Sequence, residues 1–250
     1  MTHDEQTSVR IDTNADVGED PAALARDEAI AACVTTINIA CGGHAGEEST
    51  MRHMLEVARR LGVNAGAHPS YPDRANFGRV AMAIAPDVLA ESVAEQVGAL
   101  ARIARELGVA ITRVKAHGAL YHAANVDPHV CDAIAAGVDR VLPSVALVAQ
   151  AGLGAAEYWR GQGRVVLEEA FADRRYEGDG TLVARSHADA LIGSAREVAE
   201  QARRIAMGLP IVARDGTALV IRAETICIHG DTPNAIENAR AIVAALGGTR

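Results

Sequence analysis

Short β-branched apolar runs alternate with longer amphipathic stretches along the whole sequence, the signature of repeated β-then-α units. Strands are predicted over residues 9–15, 34–40, 63–67, 111–116, 145–150, 165–170 and 218–228. Helical spacing is clearest over residues 86–107, where Val93, Val97, Leu100, Ala104 and Leu107 fall on one face. Further helices are predicted over residues 21–32, 49–61, 127–141, 194–207 and 233–246. Asp20-Pro21, Asp127-Pro128 and Thr232-Pro233 each place a capping side chain before a proline at the first helical position, where the missing N–H costs nothing. Gly62 and Gly108 stand where helices should stop. Such units with right-handed crossovers make either a doubly wound sheet or a barrel. No topological switch point is visible, so the expectation is an α/β fold: a single irregular (β/α)7 barrel over residues 1–250, with residues 1–8 as a flexible lead-in.

Composition narrows the possible partners. With 250 residues and 49% apolar content, the chain can bury a sizeable core. A net charge of −8, with acidic residues scattered among arginines, offers no basic footprint for nucleic acid or a membrane surface. Cys33, Cys41, Cys131 and Cys227 lie far apart without a Cys-x-x-Cys pair, which argues against a disulfide framework or a thiolate zinc site. The opening residues are polar, unlike a secretory leader, and no apolar run approaches the roughly 18 residues of a membrane span. The expected location is the cytoplasm, and the expected partner a small molecule. Of the 24 Lys and Arg residues, Lys115 alone is lysine, which marks it as more than a generic surface charge.

Nearly every predicted strand ends in a polar cluster. These are Asp12, Asn14 and Asp16; residues 38–44; residues 68–73; Lys115 and His117; residues 169–173; and His229 with Asp231. In a parallel α/β fold the strand C-termini share one rim, so the clusters should converge there. Side chains two apart on a strand share a face, and polar groups turned into a barrel need hydrogen-bond partners, ligand or water. Taken singly, each cluster is explained by a satisfied buried network. Each of His44, His68, His117 and His229 is likewise an ordinary structural histidine on its own. Their common position after different strands points to a pocket, where they suit general acid–base chemistry or, with Asp16, a divalent metal. No HExxH spacing supports the metal. Residues 41–46 read as a tight turn or a backbone cradle for a carboxylate or phosphate. Residues 68–85 and 171–185 are long connections after strand ends, the places where functional loops lie. Cys41 and Cys227 are possible nucleophiles, though buried cysteines are commonplace. Thr232 stands ready to cap the last helix, leaving Asp231 for the pocket. The chain has neither a Gly-x-Ser-x-Gly elbow nor a Walker A sequence, so serine hydrolysis and autonomous ATP binding lose support.

The segments IDTNADVGED, NIACGGHAGEESTM, GAHPSYPD with FGR, QVGAL, VKAHGALY, EAFADRRYEGDGTLVAR and CIHGDTPNA run in order from Ile11 to Ala235. Together they resemble the LamB/YcsF family, the family of the A subunit of bacterial 5-oxoprolinase. The resemblance implies a barrel related to polysaccharide deacetylases and a part in the ATP-dependent opening of 5-oxo-L-proline to L-glutamate, with subunits B and C. ATP would then be a co-substrate handled by the partners, with no intrinsic cofactor in this chain; a divalent metal and a homo-oligomer are both compatible. Gly43 departs from the usual Phe, Ala116 from Pro, and His122 from Asn. On this reading Asp16, His44, His68, Lys115, His117 and His229 are catalytic. Asn14, Arg79, Tyr121, Glu169, Asp173, Arg174 and Asp231 bind substrate. Asp16, His44 or His117 would serve as base, His229 or His68 as acid, Lys115 as oxyanion stabiliser, and Arg79 or Arg174 as carboxylate clamp. Two alternatives stand beside it: a stand-alone metal-dependent deacetylase or amidohydrolase, and a non-catalytic substrate-binding subunit.

Overall fold

The computed structural model describes residues 11–230, 232 and 234–247. The expected lead-in, residues 1–8, and the site candidate Asp231 lie outside the described residues. The elements follow the predicted alternation: β1 (Asp12–Val17), α1 (Leu24–Ala31), β2 (Thr36–Ala40), α2 (Glu48–Leu61), β3 (Asn64–His68), α3 (Pro86–Leu107) and β4 (Ile111–Lys115). There follow α4 (Gly118–Ala124), α5 (Pro128–Asp139), β5 (Ala146–Gln150), α6 (Gly154–Gly161), β6 (Val166–Phe171) and α7 (Ala195–Ala206). The last elements are β7 (Ile211–Val212), β8 (Ala218–Leu219), β9 (Thr225–Ile228) and α8 (Ala235–Ala245). Strands β1 to β6 and β9 pair in parallel as a closed barrel, with β9 hydrogen-bonded to both β6 and β1. Among the described residues, no helix is long and apolar enough to cross a membrane.

The outward strand faces carry the apolar core. Ile37, Ile39, Ala67, Val114, Leu147 and Ile226 are buried there with Leu55, Val97, Leu100, Ile134 and Ile242 of the helices. Each of the Ile, Leu and Val side chains among them contributes about 1.5–3 kcal/mol relative to exposure. Helices α3 and α5 approach closely because Gly137 has no side chain: a Cβ there would meet the Ala90 carbonyl oxygen at 2.5 Å. Gly62 and Gly108 end α2 and α3 in the left-handed conformation, Asp127 accepts a backbone N–H at the start of α5, and Asp20 does so at a short 3-10 helix, Pro21–Ala23, that leads into α1.

Several expectations are corrected. The stretch 218–228 is not one strand, because a barrel crossing takes only a few residues; Ala218–Leu219 forms a hairpin with β7, and the chain re-enters the barrel at Thr225. Helices α4 and α6 are additional, too short to show a sustained 3.6-residue pattern. Asn234, not Thr232, occupies the N-cap of α8.

Inside the barrel the filling is polar. Asp12, near the N-terminal ends of the strands, pairs with Arg113 at 2.6 Å and accepts bonds from Thr36 and Thr225. Gly66 leaves room for this layer, since a Cβ there would lie 2.8 Å from both Arg113 Cγ and Asn38 Oδ1. Gly66→Ala should therefore cost about 1–3 kcal/mol by overpacking. Urea denaturation would show a lowered midpoint, and an unchanged one would contradict this packing.

Candidate active site

Above the Asp12–Arg113 layer, charge is stacked tier upon tier toward the C-terminal mouth. Lys115 Nζ lies 3.0 Å from Asp16 Oδ1 and 2.9 Å from Glu169 Oε1, and it also contacts Asn14 and Cys227. Asn14 donates to Glu169 and Thr225, Asn38 donates to Asn14 and Asp16, and the Tyr121 hydroxyl donates to Glu169 at 2.9 Å. Burial works against the Lys115 charge, but Asp16 and Glu169 outweigh it and hold the ammonium group well above its usual range. Burial likewise opposes the charge on Asp16, and the Lys115 ammonium and the Asn38 amide still hold its carboxyl well below normal. The tier therefore carries a fixed ammonium between two carboxylates.

Three histidines crowd one side of the mouth. His68 ends β3, His117 follows β4, and His44 comes from the loop after β2. His44 and His117 stack in parallel with centroids 3.7 Å apart, and His68 stands edge-on to both. His68 Nδ1 donates to the Lys115 carbonyl at 2.7 Å, and His117 Nε2 donates to the Phe77 carbonyl at 3.0 Å. Phe77 turns that carbonyl inward from a left-handed backbone, φ 54°, a conformation rare for an aromatic residue. Burial pushes His44 down to about 3 and His117 to about 4, and it takes His68 well below its usual value, so all three imidazoles are neutral near pH 7. Glu19 joins them: one donor atom from each of Glu19, His44, His68 and His117 falls within a sphere of mutual distances under 4.8 Å, a cluster able to hold a divalent metal. Sequence reasoning missed Glu19. Its signal was the Gly18-Glu19 pair directly after β1, where Gly18 at φ 73° makes the turn that swings the carboxylate back over the rim.

His229 stands across the mouth, apart from this cluster. Its Nδ1 and backbone N–H meet the two Asp173 oxygens at 2.9 and 3.1 Å, and its ring stacks on Phe171. Burial would raise the Asp173 carboxyl, but His229 beside it keeps it lowered and charged. Between the two histidine groups lies a cavity of about 360 Å³ lined by Asp16, Glu19, His68, Arg79, Lys115, His117, Tyr121, Arg174, Arg185 and His229 among others. The connections 68–85 and 171–185 supply Arg79, Arg174, Leu182 and Arg185 to it, as their length suggested. Arg174 is buried, donates to the Val183 carbonyl, and leaves its Nε without a partner. Burial, with Arg185 nearby, lowers this guanidinium to about 10.

Of the predicted residues, Asp16, His68, Lys115, His117, His229, Arg79, Tyr121 and Arg174 line the cavity; Asn14 and Glu169 lie beneath it, and Asp173 stands behind His229. His44 packs behind His117 without lining the cavity. The loop 41–46 is not an anion cradle: the Gly42 N–H is bonded to the Ala45 carbonyl, and the Gly42 and Gly46 carbonyls point at Arg74. Gly43 sits tightly under Gln96, which grips the Ser70 backbone at both N–H and carbonyl; a Cβ at Gly43 would meet Gln96 Oε1 at 2.2 Å. Neither cysteine is poised as a nucleophile. Burial pushes the Cys41 thiol up to about 12 and the Cys227 thiol well above its usual value.

Comparison with known proteins follows the same residues. The LamB/YcsF family model matches residues 11–249. The chain belongs to the LamB/YcsF family. It is 45% identical over 234 residues to the A subunit of 5-oxoprolinase from Chloroflexus aggregans, covering 93% of each chain. It is 42% identical over 250 residues to the A subunit of 5-oxoprolinase from Methylococcus capsulatus, covering 95% of this chain and 96% of that one. The crystal structure of the lactam utilization protein from Thermus thermophilus superposes with a TM-score of 0.87 at 38% identity, covering 95% of this chain and 96% of that chain. This LamB/YcsF chain thus shares both barrel and sequence with a protein named for lactam use.

Lys115→Met should destabilise the fold by about 3–5 kcal/mol, because Asp16 and Glu169 would be left buried against each other's charge. Adding Glu169→Gln should recover part of that loss, and a double-mutant cycle by urea denaturation reads the coupling. Strictly additive losses would show that the ammonium and the Glu169 carboxylate act independently.

Proposed function

We propose that this chain is the A subunit of an ATP-dependent 5-oxoprolinase, a single catalytic domain that opens the lactam ring of 5-oxo-L-proline to L-glutamate in the cytoplasm. The observation that carries this reading is the pairing, in one cavity, of an Asp173-oriented imidazole with the under-partnered Arg174 guanidinium. The names of the relatives and of the structural neighbour support it. The seven-stranded closure is also what a deacetylase-type barrel would have.

Hydrolysis of the lactam adds a hydroxyl to the carbonyl carbon and a proton to the ring nitrogen as the C–N bond breaks. Asp173 accepts a hydrogen bond from His229 Nδ1–H, which keeps the proton on Nδ1 and leaves Nε2 as the basic nitrogen. His229 then takes a proton from water and returns it to the leaving nitrogen, the double role of a general base turned acid. Asp16 is a poorer base than the sequence suggested, since Lys115 and Asn38 occupy its oxygens. Lys115 lines the cavity with its N–H donors already turned to Asp16, Glu169 and Cys227, so it favours negative charge on the carbonyl oxygen through its fixed positive charge and not as a free hydrogen-bond donor. Arg174 takes the substrate carboxylate, with Arg185 near it and Arg79, over the Phe77 ring, also lining the cavity. An amide carbonyl is a weak electrophile, so ATP serves as co-substrate for its activation, a task assigned to subunits B and C. The rival reading, a metal-dependent amidohydrolase or deacetylase acting alone, rests on the Glu19–histidine cluster and requires turnover without partners or ATP.

In the enzyme reconstituted with subunits B and C, omission of this chain should abolish ATP-dependent glutamate formation from 5-oxoproline. His229→Ala should lower kcat by about 10²–10⁴-fold. Asp173→Asn should lower kcat with little change in KM, because it frees the wrong tautomer. Undiminished glutamate production by His229→Ala would remove that residue from the mechanism.

A further inference from the structure

Two imidazoles at the mouth face each other in a way that hydrogen bonding does not explain. The carbonyl of Lys115 can only accept, so His68 Nδ1 carries the ring proton and His68 Nε2 presents a lone pair. The carbonyl of Phe77 can only accept, so His117 Nε2 carries its proton and His117 Nδ1 presents a lone pair. These two proton-free nitrogens stand 3.1 Å apart. Further acceptors surround them: Glu19 Oε1 is 3.4 Å from His117 Nδ1, and Asp16 Oδ2 is 3.4 Å from His68 Nε2. Two imidazole lone pairs that converge on each other and on carboxylate oxygens form an arrangement completed by a cation.

We infer that Glu19, His68 and His117 are the protein ligands of a divalent transition-metal ion of the zinc class, bound on the wall of the cavity. Two neutral imidazoles and one carboxylate are a familiar ligand set for an open zinc site. Each imidazole also donates its other N–H to a backbone carbonyl, the outer contact that fixes the tautomer and raises the basicity of a metal-bound histidine. All three ligands line the cavity, so the remaining coordination position opens toward substrate and water. His44 is excluded from the ligand set despite its nearness. An imidazole binds an ion in its own ring plane, and His44 lies parallel to His117 at 3.7 Å, so an ion in the plane of one ring sits far from the plane of the other. Its Nε2, 3.1 Å from Glu19 Oε1, instead donates to that carboxylate and orients it. His44 is thus a positioning residue for the ion, and His229, paired with Asp173, belongs to the proton-transfer side.

Zinc content can be measured without any turnover, so this inference stands or falls apart from the 5-oxoprolinase reading. The purified full-length chain, stripped with chelator, is titrated with zinc and its bound metal determined by elemental mass spectrometry. One ion per chain is expected, together with a rise in Tm. Glu19→Gln and His117→Ala should retain no ion at equimolar zinc, whereas His44→Asn should retain one, bound about tenfold more weakly. Far-UV circular dichroism and Tm without zinc confirm that each variant is folded, and Glu19→Gln, which keeps size and shape, is the variant least exposed to misfolding. Absence of stoichiometric zinc in the wild-type chain would overturn the inference, above all if imidazole ¹⁵N shifts showed a proton shared by His68 and His117. Retention by Glu19→Gln equal to wild type, or complete loss in His44→Asn, would overturn the ligand assignment.

Discussion

The Lys115 ammonium, held between the Asp16 and Glu169 carboxylates on the barrel axis, is the interaction on which the rest of the site depends. A barrel of this size is ordinarily filled by Val, Ile and Leu, which need no partners. Here the inward positions of β1, β4, β6 and β9 carry Asp, Asn, Arg, Lys, Glu, Thr and Cys, and burying them is tolerable only because each charge meets its counter-charge and each amide its acceptor. Removing any one member leaves the others unpaired in a medium that solvates them poorly. The interior is therefore rigid by electrostatics as much as by packing.

That rigidity is transmitted upward. Asp16 is the top of the ion-paired column and the floor of the cavity, so its orientation is set from below by Lys115 and Asn38. The Lys115 backbone carbonyl, on the same residue, fixes the tautomer of His68. The residue that neutralises the barrel interior thus also decides which nitrogen His68 offers to the mouth. The second half of the mouth is built differently: Phe171 and Asp173, at and just beyond the end of β6, hold His229 just beyond β9, and the parallel pairing of β6 with β9 brings them together.

Two histidine groups with different supports face one small cavity, and this division separates the chemistry. The His229–Asp173 pair has the geometry of a proton carrier, with one nitrogen tied and the other available. The His68–His117 pair has the geometry of a ligand set, with both tied nitrogens pointing away and both available ones pointing together. Loops 68–85 and 171–185 add arginines to the rim, giving an otherwise acidic chain a local site for an anionic substrate.

Much of this was legible in the sequence because its causes are local. Period-two apolar runs, proline-preceded caps and the terminating glycines Gly62 and Gly108 depend on near neighbours, so the β/α alternation could be read directly, and the polar ends of the strands placed His68, Lys115, His117 and His229 on one rim. The misread stretch 218–228 was locally apolar enough for one strand, but barrel closure admits only its last part. Glu19 escaped because a glycine turn, not a strand, aims it. The sequence by itself determined which chemical groups reach the mouth. Which of them meet was decided by tertiary structure alone: Asp173 with His229, Lys115 with Glu169, and His44 stacked out of reach behind His117. Those pairings follow from strand register, ring closure and loop paths, which bring together residues far apart in the chain and leave no trace in the spacing of either partner.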